Sequence, residues 1–265
     1  MQVTVSGSGP ALVLIHGWAL QGAVFAPLRQ RLSTHFTLHV VDLPGHGLSH
    51  DDTTPLLLSE VSDAIAAATP PAVWCGWSLG GLFALHAAAT HPQVRGLVML
   101  ASSPRFVRGS DWPHAPAAPL FAQFATDLAS DYPATVDRFL ALDLMYAEPG
   151  RTDLHGLRQR LLEAGPPATR VFDEGSALLQ QTDLRGVLPT LPVPSLWLAG
   201  ARDRLVPPAA MQAAAALSPQ AQARSIAHGG HAPFLGQADE VAAQLQRFIM
   251  EQVVTAAGHR PTMQD

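Results

Sequence analysis

Short apolar runs rich in β-branched and aromatic side chains alternate along most of this chain with longer stretches in which apolar residues recur every three to four positions. The runs at 12–15, 37–42, 72–77, 97–101, 195–199 and 224–227 read as strands, and the stretches at 21–32, 56–68, 81–90, 208–217 and 239–254 read as helices. Alternation of this kind predicts an α/β fold with a mostly parallel, doubly wound sheet, because each crossover lays a helix on the sheet and leaves the strands buried on both faces. Between Ser102 and about Thr190 the pattern changes to aromatic and proline-rich helical pieces at 119–128, 132–144, 154–163 and 173–180. Such an insertion, placed after the sixth strand, would sit over one edge of the sheet as a helical cap. The expected division is therefore a core in two parts, 1–102 and 191–257, a cap at 103–190 and a frayed tail at 258–265.

Length and composition narrow the class. A chain of 265 residues with 48% hydrophobic residues can bury a large core as one domain. Residues 1–5 alternate polar and apolar side chains without the charged region and apolar stretch of a signal peptide, and no apolar run is long enough to cross a bilayer. Cys75 is the one cysteine, so an intrachain disulfide is excluded; a soluble protein of the reducing cytoplasm, working as a monomer, is expected. The net charge of -5 gives no support for nucleic-acid binding, and the 16 basic residues are all arginine.

The chemistry begins at Gly76-Trp77-Ser78-Leu79-Gly80, which joins an apolar run to a helix of small residues. A serine on a strand-to-helix turn of this type projects its hydroxyl out of the sheet, and the helix behind it points amides at the same place. The pattern is short and weak alone, so its partners in chain order decide. Serine is a poor nucleophile at neutral pH and needs a base, and the base needs a carboxylate to hold its tautomer and stabilise the imidazolium. Asp203 follows the strand-like run 195–199, and His231 lies in the glycine-rich loop after 224–227. Asp173 and Asp183 are the alternatives to Asp203, and His228 is the alternative to His231. Leu79 would supply one oxyanion amide and Trp18, in the loop His16-Gly17-Trp18, the second, with its indole on the pocket wall. His16 reads as a structural histidine held by backbone groups. His46 and His50 with Asp51 and Asp52 mimic a metal site, but glycine and proline around them argue for a loop rather than a ligand-bearing helix; no metal or other cofactor is expected.

The elbow, the His16-Gly17-Trp18 loop, the stretch Asp42-Leu43-Pro44-Gly45-His46-Gly47-Leu48-Ser49, the late Asp203 and His231, and the inserted cap together resemble the alpha/beta-hydrolase superfamily over almost the whole chain. Within it, Cys75 to Gly81, Ala101-Ser102-Ser103-Pro104, Asp111-Trp112-Pro113, Arg138-Phe139-Leu140-Ala141-Leu142, Thr182-Asp183-Leu184-Arg185 and His231-Ala232-Pro233-Phe234 are similar to the biotin-pathway carboxylesterase family, which demethylates pimeloyl-acyl-carrier-protein methyl ester.

That resemblance implies Ser78, Asp203 and His231 as catalytic groups, Trp18 and Leu79 as oxyanion donors, and Trp18 with Phe139, Leu140, Ala141, Leu142 and Asp143 as substrate-binding surface. It implies Arg138, Arg151 and Arg158 as contacts to an acidic acyl carrier protein, since guanidinium groups suit phosphate and carboxylate. Asp143 stands where the family pattern has glutamine, and an added acid there predicts a channel less hospitable to a negatively charged acyl end. The other readings are a broad short-chain carboxylesterase or thioesterase without a protein carrier, and a hydrolase-fold ligand-binding protein that turns over little. Carbon-carbon bond hydrolases and perhydrolases share the same three residues. Haloalkane dehalogenases and epoxide hydrolases use a carboxylate nucleophile where this chain has Ser78.

Overall fold

The computed structural model describes residues 1–145 and 154–254. Seven strands form one sheet: β1 (Gln2–Gly7), β2 (Ala11–Ile15), β3 (Thr37–Asp42), β4 (Ala72–Trp77), β5 (Val94–Leu100), β6 (Ser195–Gly200) and β7 (Ala221–Ile226). Their order across the sheet is β1-β3-β2-β4-β5-β6-β7. All neighbours run parallel except β1, which lies antiparallel on β3 with Gln2 opposite Asp42 and Gly7 opposite Thr37. Strands β4 and β6 are buried throughout, which is why they read as continuous apolar runs. Strand β1 was not among the apolar runs because it sits at the rim, partly exposed, where an alternating pattern suffices.

The helices are α1 (Ala26–Leu32), α2 (Leu58–Ala68), α3 (Gly80–Thr90), α4 (Pro119–Ser130), α5 (Tyr132–Leu144), α6 (Leu154–Glu163), α7 (Arg170–Gln181), α8 (Pro208–Ala215), α9 (Pro233–Gly236) and α10 (Ala238–Phe248). The stretch at 21–32 opens with a tight 3-10 turn, Gly22–Phe25, before α1 begins with proline in its first turn. Helix α10 ends at Phe248 and the chain continues as a wider π-helical turn, Ile249–Val254. Helix α3 packs on β4 and β5, and its residues from Gly80 to Leu85 are all buried, so it shows no polar face.

The helical insertion, α4 to α7, follows β5, which is the fifth strand in chain order and not the sixth. Four of the five strands before it were among the apolar runs, and β1 is the one that was not. Helix α4 packs on α7, while α5 packs on α6 and on α9, the short helix just after β7. Among the described residues no helix is long and apolar enough to cross a membrane. Because the parallel strands all end at the same edge, the loops after β2, β4, β6 and β7 converge there beneath α4 and α5.

Candidate active site

At the end of β4 the chain turns sharply into α3, and Ser78 occupies the turn with φ of 53°. A non-glycine residue there is strained by about 1–3 kcal/mol and persists only where its surroundings hold it. The surroundings are specific. The Ser78 amide donates to Leu100 O at 3.1 Å, and Ser102 Oγ donates to Ser78 O at 2.6 Å. Gly76 is required for close approach, since a Cβ there would run into the backbone of Gly80 and Gly81. Ser102 belongs to the stretch Ala101-Ser102-Ser103-Pro104 just past β5, and its bond to the elbow is not legible in that stretch.

Asp203 and His231 reach Ser78 from the ends of β6 and β7. His231 Nε2 lies 2.8 Å from Ser78 Oγ, and His231 Nδ1 lies 2.9 Å from Asp203 Oδ2. The other carboxylate oxygen, Asp203 Oδ1, accepts the amides of Leu205 and Val206, each at 2.8 Å. These bonds fill the acceptor sites of a side chain that has no exposed surface. Trp77 Nε1 donates to His231 O at 2.7 Å and so fixes the histidine loop against the elbow strand. No sequence motif announces that bond, which joins residues 154 positions apart. Asp173, Asp183 and His228 are exposed and lie apart from this group. Asp183 pairs instead with Arg105 and Arg185.

The electrostatics suit a base. Burial by itself lowers the affinity of the His231 imidazole for a proton, but the Asp203 carboxylate, through its charge and its hydrogen bond, and the Asp143 carboxylate together raise it above the ordinary value of 6.5. A base must be unprotonated to accept the serine proton. Ester hydrolysis is therefore expected to fall on the acid side with a midpoint above pH 6.5. A kcat/KM profile on a soluble methyl ester checks this, and full activity at pH 5 would contradict it.

The loop after β2 presses on the elbow, since a Cβ at Gly17 would stand 3.1 Å from Ser78 Cβ. Among the described residues the amides of Trp18 and Leu79 have no protein acceptor. Two such N–H groups beside the serine can stabilise an oxyanion. Neither His16 nor His46 serves as a proton carrier near neutral pH. Burial lowers His16 to about 4 and His46 to about 3. His16 Nδ1 contacts Gly17 O at 2.7 Å while its Nε2 accepts the Leu43 amide at 3.0 Å, so it braces two loops. Cys75 is buried and its thiol is pushed up to about 12, which leaves it inert.

Two cavities meet at His231. The first is an apolar cleft reaching from Ser78 under the cap, walled by Trp18, Trp77, Phe121, Phe124, Val136, Phe139 and Leu179. The Trp18 indole donates to Val171 O at 2.8 Å and meets the Phe124 ring edge-on, so its ring is a fixed wall. The second cavity is more polar and includes Leu142, Asp143, Arg202, Asp203 and Arg204.

The five residues 139–143 were expected to line one channel, and the structure distributes them differently. Phe139 faces both cavities, Leu140 packs in the core, Ala141 is exposed, and Leu142 and Asp143 turn to the second cavity. The cause is helical period, since consecutive residues on α5 point about 100° apart. The Asp143 carboxylate is directed to the histidine loop rather than into the acyl cleft. Of the three cap arginines, Arg138 lies 3.0 Å from Thr135 Oγ1 and 3.6 Å from an Asp127 carboxylate oxygen, and Arg158 grips Asp137 with two bonds of 2.5 and 2.8 Å. Arg151 and the tail 258–265 lie outside the described residues.

Comparisons with known proteins follow the same lines. A model described as the alpha/beta hydrolase family matches residues 12–244. The pimeloyl-[acyl-carrier protein] methyl ester esterase of Stenotrophomonas maltophilia strain K279a is 68% identical over 249 residues, 94% of this chain and 96% of the relative. A protein of the same description from Xanthomonas oryzae pv. oryzae strain MAFF 311018 is 64% identical over 94% of this chain and 98% of its own length. Among solved structures, an esterase from Exiguobacterium antarcticum superimposes with a TM-score of 0.83 at 20% identity, covering 94% of this chain and 95% of that one, a likeness of fold alone.

Proposed function

This chain belongs to the alpha/beta hydrolase family, and from that premise we infer that it is a serine carboxylesterase that removes the methyl ester of pimeloyl-acyl-carrier protein in biotin precursor synthesis. The single observation that carries the reading is the hydrogen-bonded chain from Ser78 Oγ through His231 to Asp203, opening onto an apolar cleft. Apolar walls suit the methylene chain of a pimeloyl group.

The steps follow from the positions. Ser78 Oγ attacks the ester carbonyl carbon while His231 Nε2 takes the hydroxyl proton, and the carbonyl oxygen becomes an oxyanion facing the amides of Trp18 and Leu79. Collapse breaks the bond to the methoxy oxygen, which leaves as methanol with the proton from His231. Water then attacks the acyl-enzyme, His231 takes its proton and returns it to Ser78 Oγ, and the free carboxylate is released. Asp203 keeps its charge throughout and stabilises the imidazolium. The deciding measurement is hydrolysis of pimeloyl methyl ester with and without its carrier protein. Methanol release that is faster on the carrier-linked ester is expected, and equal rates would favour a broad short-chain esterase.

The carrier would dock on the cap through Arg138 and Arg158, with Arg151 as the third expected contact. Exposed ion pairs contribute little, so a carrier phosphate or carboxylate can replace Asp127 and Asp137 as partner at small cost. Arg138→Ala with Arg158→Ala is expected to raise KM for carrier-linked ester about threefold to tenfold and to leave a small soluble ester unaffected. Raising ionic strength should narrow that difference, because exposed charges are screened over about 10 Å at 0.1 M. Equal loss on both substrates would mean a disturbed cap.

A further inference from the structure

The carboxylate of Asp143 belongs to helix α5 of the helical insertion, yet its partner is in the core. Its Oδ1 accepts the backbone amide of Ala232, the residue after His231, at 2.6 Å across 89 positions of chain. Only 5% of Asp143 is exposed, and the backbone at Gly230, just before the histidine, comes so close that a Cβ there would touch the same oxygen. Trp77 holds the carbonyl of His231 from the core side, so the histidine loop is gripped from two directions: an indole N–H on the sheet and a carboxylate on the cap. Helix α5 packs on α9, which starts two residues past His231, and this contact carries the cap onto the loop. A carboxylate is an expensive group to bury for the amide of Ala232 and, more weakly, that of His231, which a neutral amide oxygen could also accept. Its negative charge is what distinguishes it.

We propose that Asp143 is a positioning residue for His231, a second carboxylate carried by the cap that seats the histidine loop over Ser78 through the Ala232 amide and adds its charge beside the imidazole. The assignment rests on the reading of His231 as the base. It makes cap docking and base geometry one event, since α5 must be in place for the loop to be held on both sides. Asp143 leaves Asp203 its own task, because Asp203 spends both oxygens on His231 and on the Leu205 and Val206 amides. Burial pushes the Asp143 carboxyl up to about 6, with the charge of His231 and the Ala232 amide opposing the shift, and the Asp143 charge in turn helps to raise His231. The other charged groups lining this cavity are Arg202, Asp203 and Arg204. The remaining ionic side chains of the middle of α5, Asp137 and Arg138, pair at the surface with Arg158 and Asp127.

Two substitutions separate the bond from the charge. Asp143→Asn keeps an oxygen for the Ala232 amide and removes the charge; Asp143→Leu removes both. On a small soluble methyl ester, the asparagine variant should keep kcat within about threefold, with its acid limb moved down by about half a pH unit or more as the imidazolium loses a neighbouring anion. The leucine variant should lose about tenfold or more in kcat with KM little changed, since the base is displaced and the acyl cleft is not. Titration of the His231 ring by NMR gives a readout independent of turnover and of whether Asp143→Leu folds, and Asp143→Asn should show a lower midpoint than wild type. A His231 titration and an acid limb both unchanged in Asp143→Asn would overturn the proposal. So would a loss confined to KM, which would make Asp143 a substrate contact. Absence of turnover in wild type would instead defeat the esterase reading, while the ring titration would still report on Asp143.

Discussion

Ser78→Ala should reduce methyl-ester hydrolysis by about a thousandfold or more while leaving the fold unchanged. The substitution removes Oγ, the atom that lies 2.8 Å from His231 Nε2, and nothing that packs the elbow. The turn itself is held by backbone and neighbour contacts: the Ser78 amide on Leu100 O and the Ser102 hydroxyl on Ser78 O. Alanine at φ of 53° carries a strain similar to that of serine, so thermal stability should be close to wild type. What remains of the rate would come from binding and from the two amides beside the lost nucleophile. Methanol release from pimeloyl methyl ester, measured beside a thermal melt, checks both halves. A folded variant hydrolysing at near the normal rate would remove Ser78 from the reaction.

The second large effect separates two histidines three residues apart. His231→Ala should cost about a thousandfold or more, because it deletes the group that takes the serine proton in one step and returns it to methanol in the next. It also leaves the Asp203 carboxylate buried with only the Leu205 and Val206 amides as partners, so some loss of stability is expected with it. His228→Ala should change the rate by no more than about twofold, since that side chain is exposed and takes no part in the bonded group. Parallel rate measurements on the two variants decide, and inactivity of the His228 variant with activity in the His231 variant would reverse the roles.

Much of the site could be read from the chain because a parallel sheet turns chain order into spatial position. Every strand in such a sheet ends at the same edge, so a serine after one apolar run, an aspartate after another and a histidine after a third must come near one another whatever the intervening sequence. The elbow glycines, the burial of β4 and β6 and the helical spacing of α5 and α6 are local signals of that kind. The same logic has limits. Strand β1 joins at the rim, where partial exposure removes the apolar run that marks a buried strand. The residues 139–143 share a motif yet face different directions, since their helix rotates each from the next.

By itself, then, the sequence determined the α/β class and the place of the helical insertion between two strand-bearing stretches, and it favoured Ser78, Asp203 and His231, which the structure brings within hydrogen-bond distance, because these depend on period, punctuation and order along the chain. Only the tertiary structure decided that Trp77 and Asp143 hold the His231 loop from opposite sides, that Ser102 braces the elbow, and that Arg138 and Arg158 are already paired on the cap. Bonds such as that from the Ala232 amide to Asp143 link backbone to side chain across 89 positions. Any residue has an amide to offer, so no local pattern marks it, and the partner is chosen by the packing of α5 on α9.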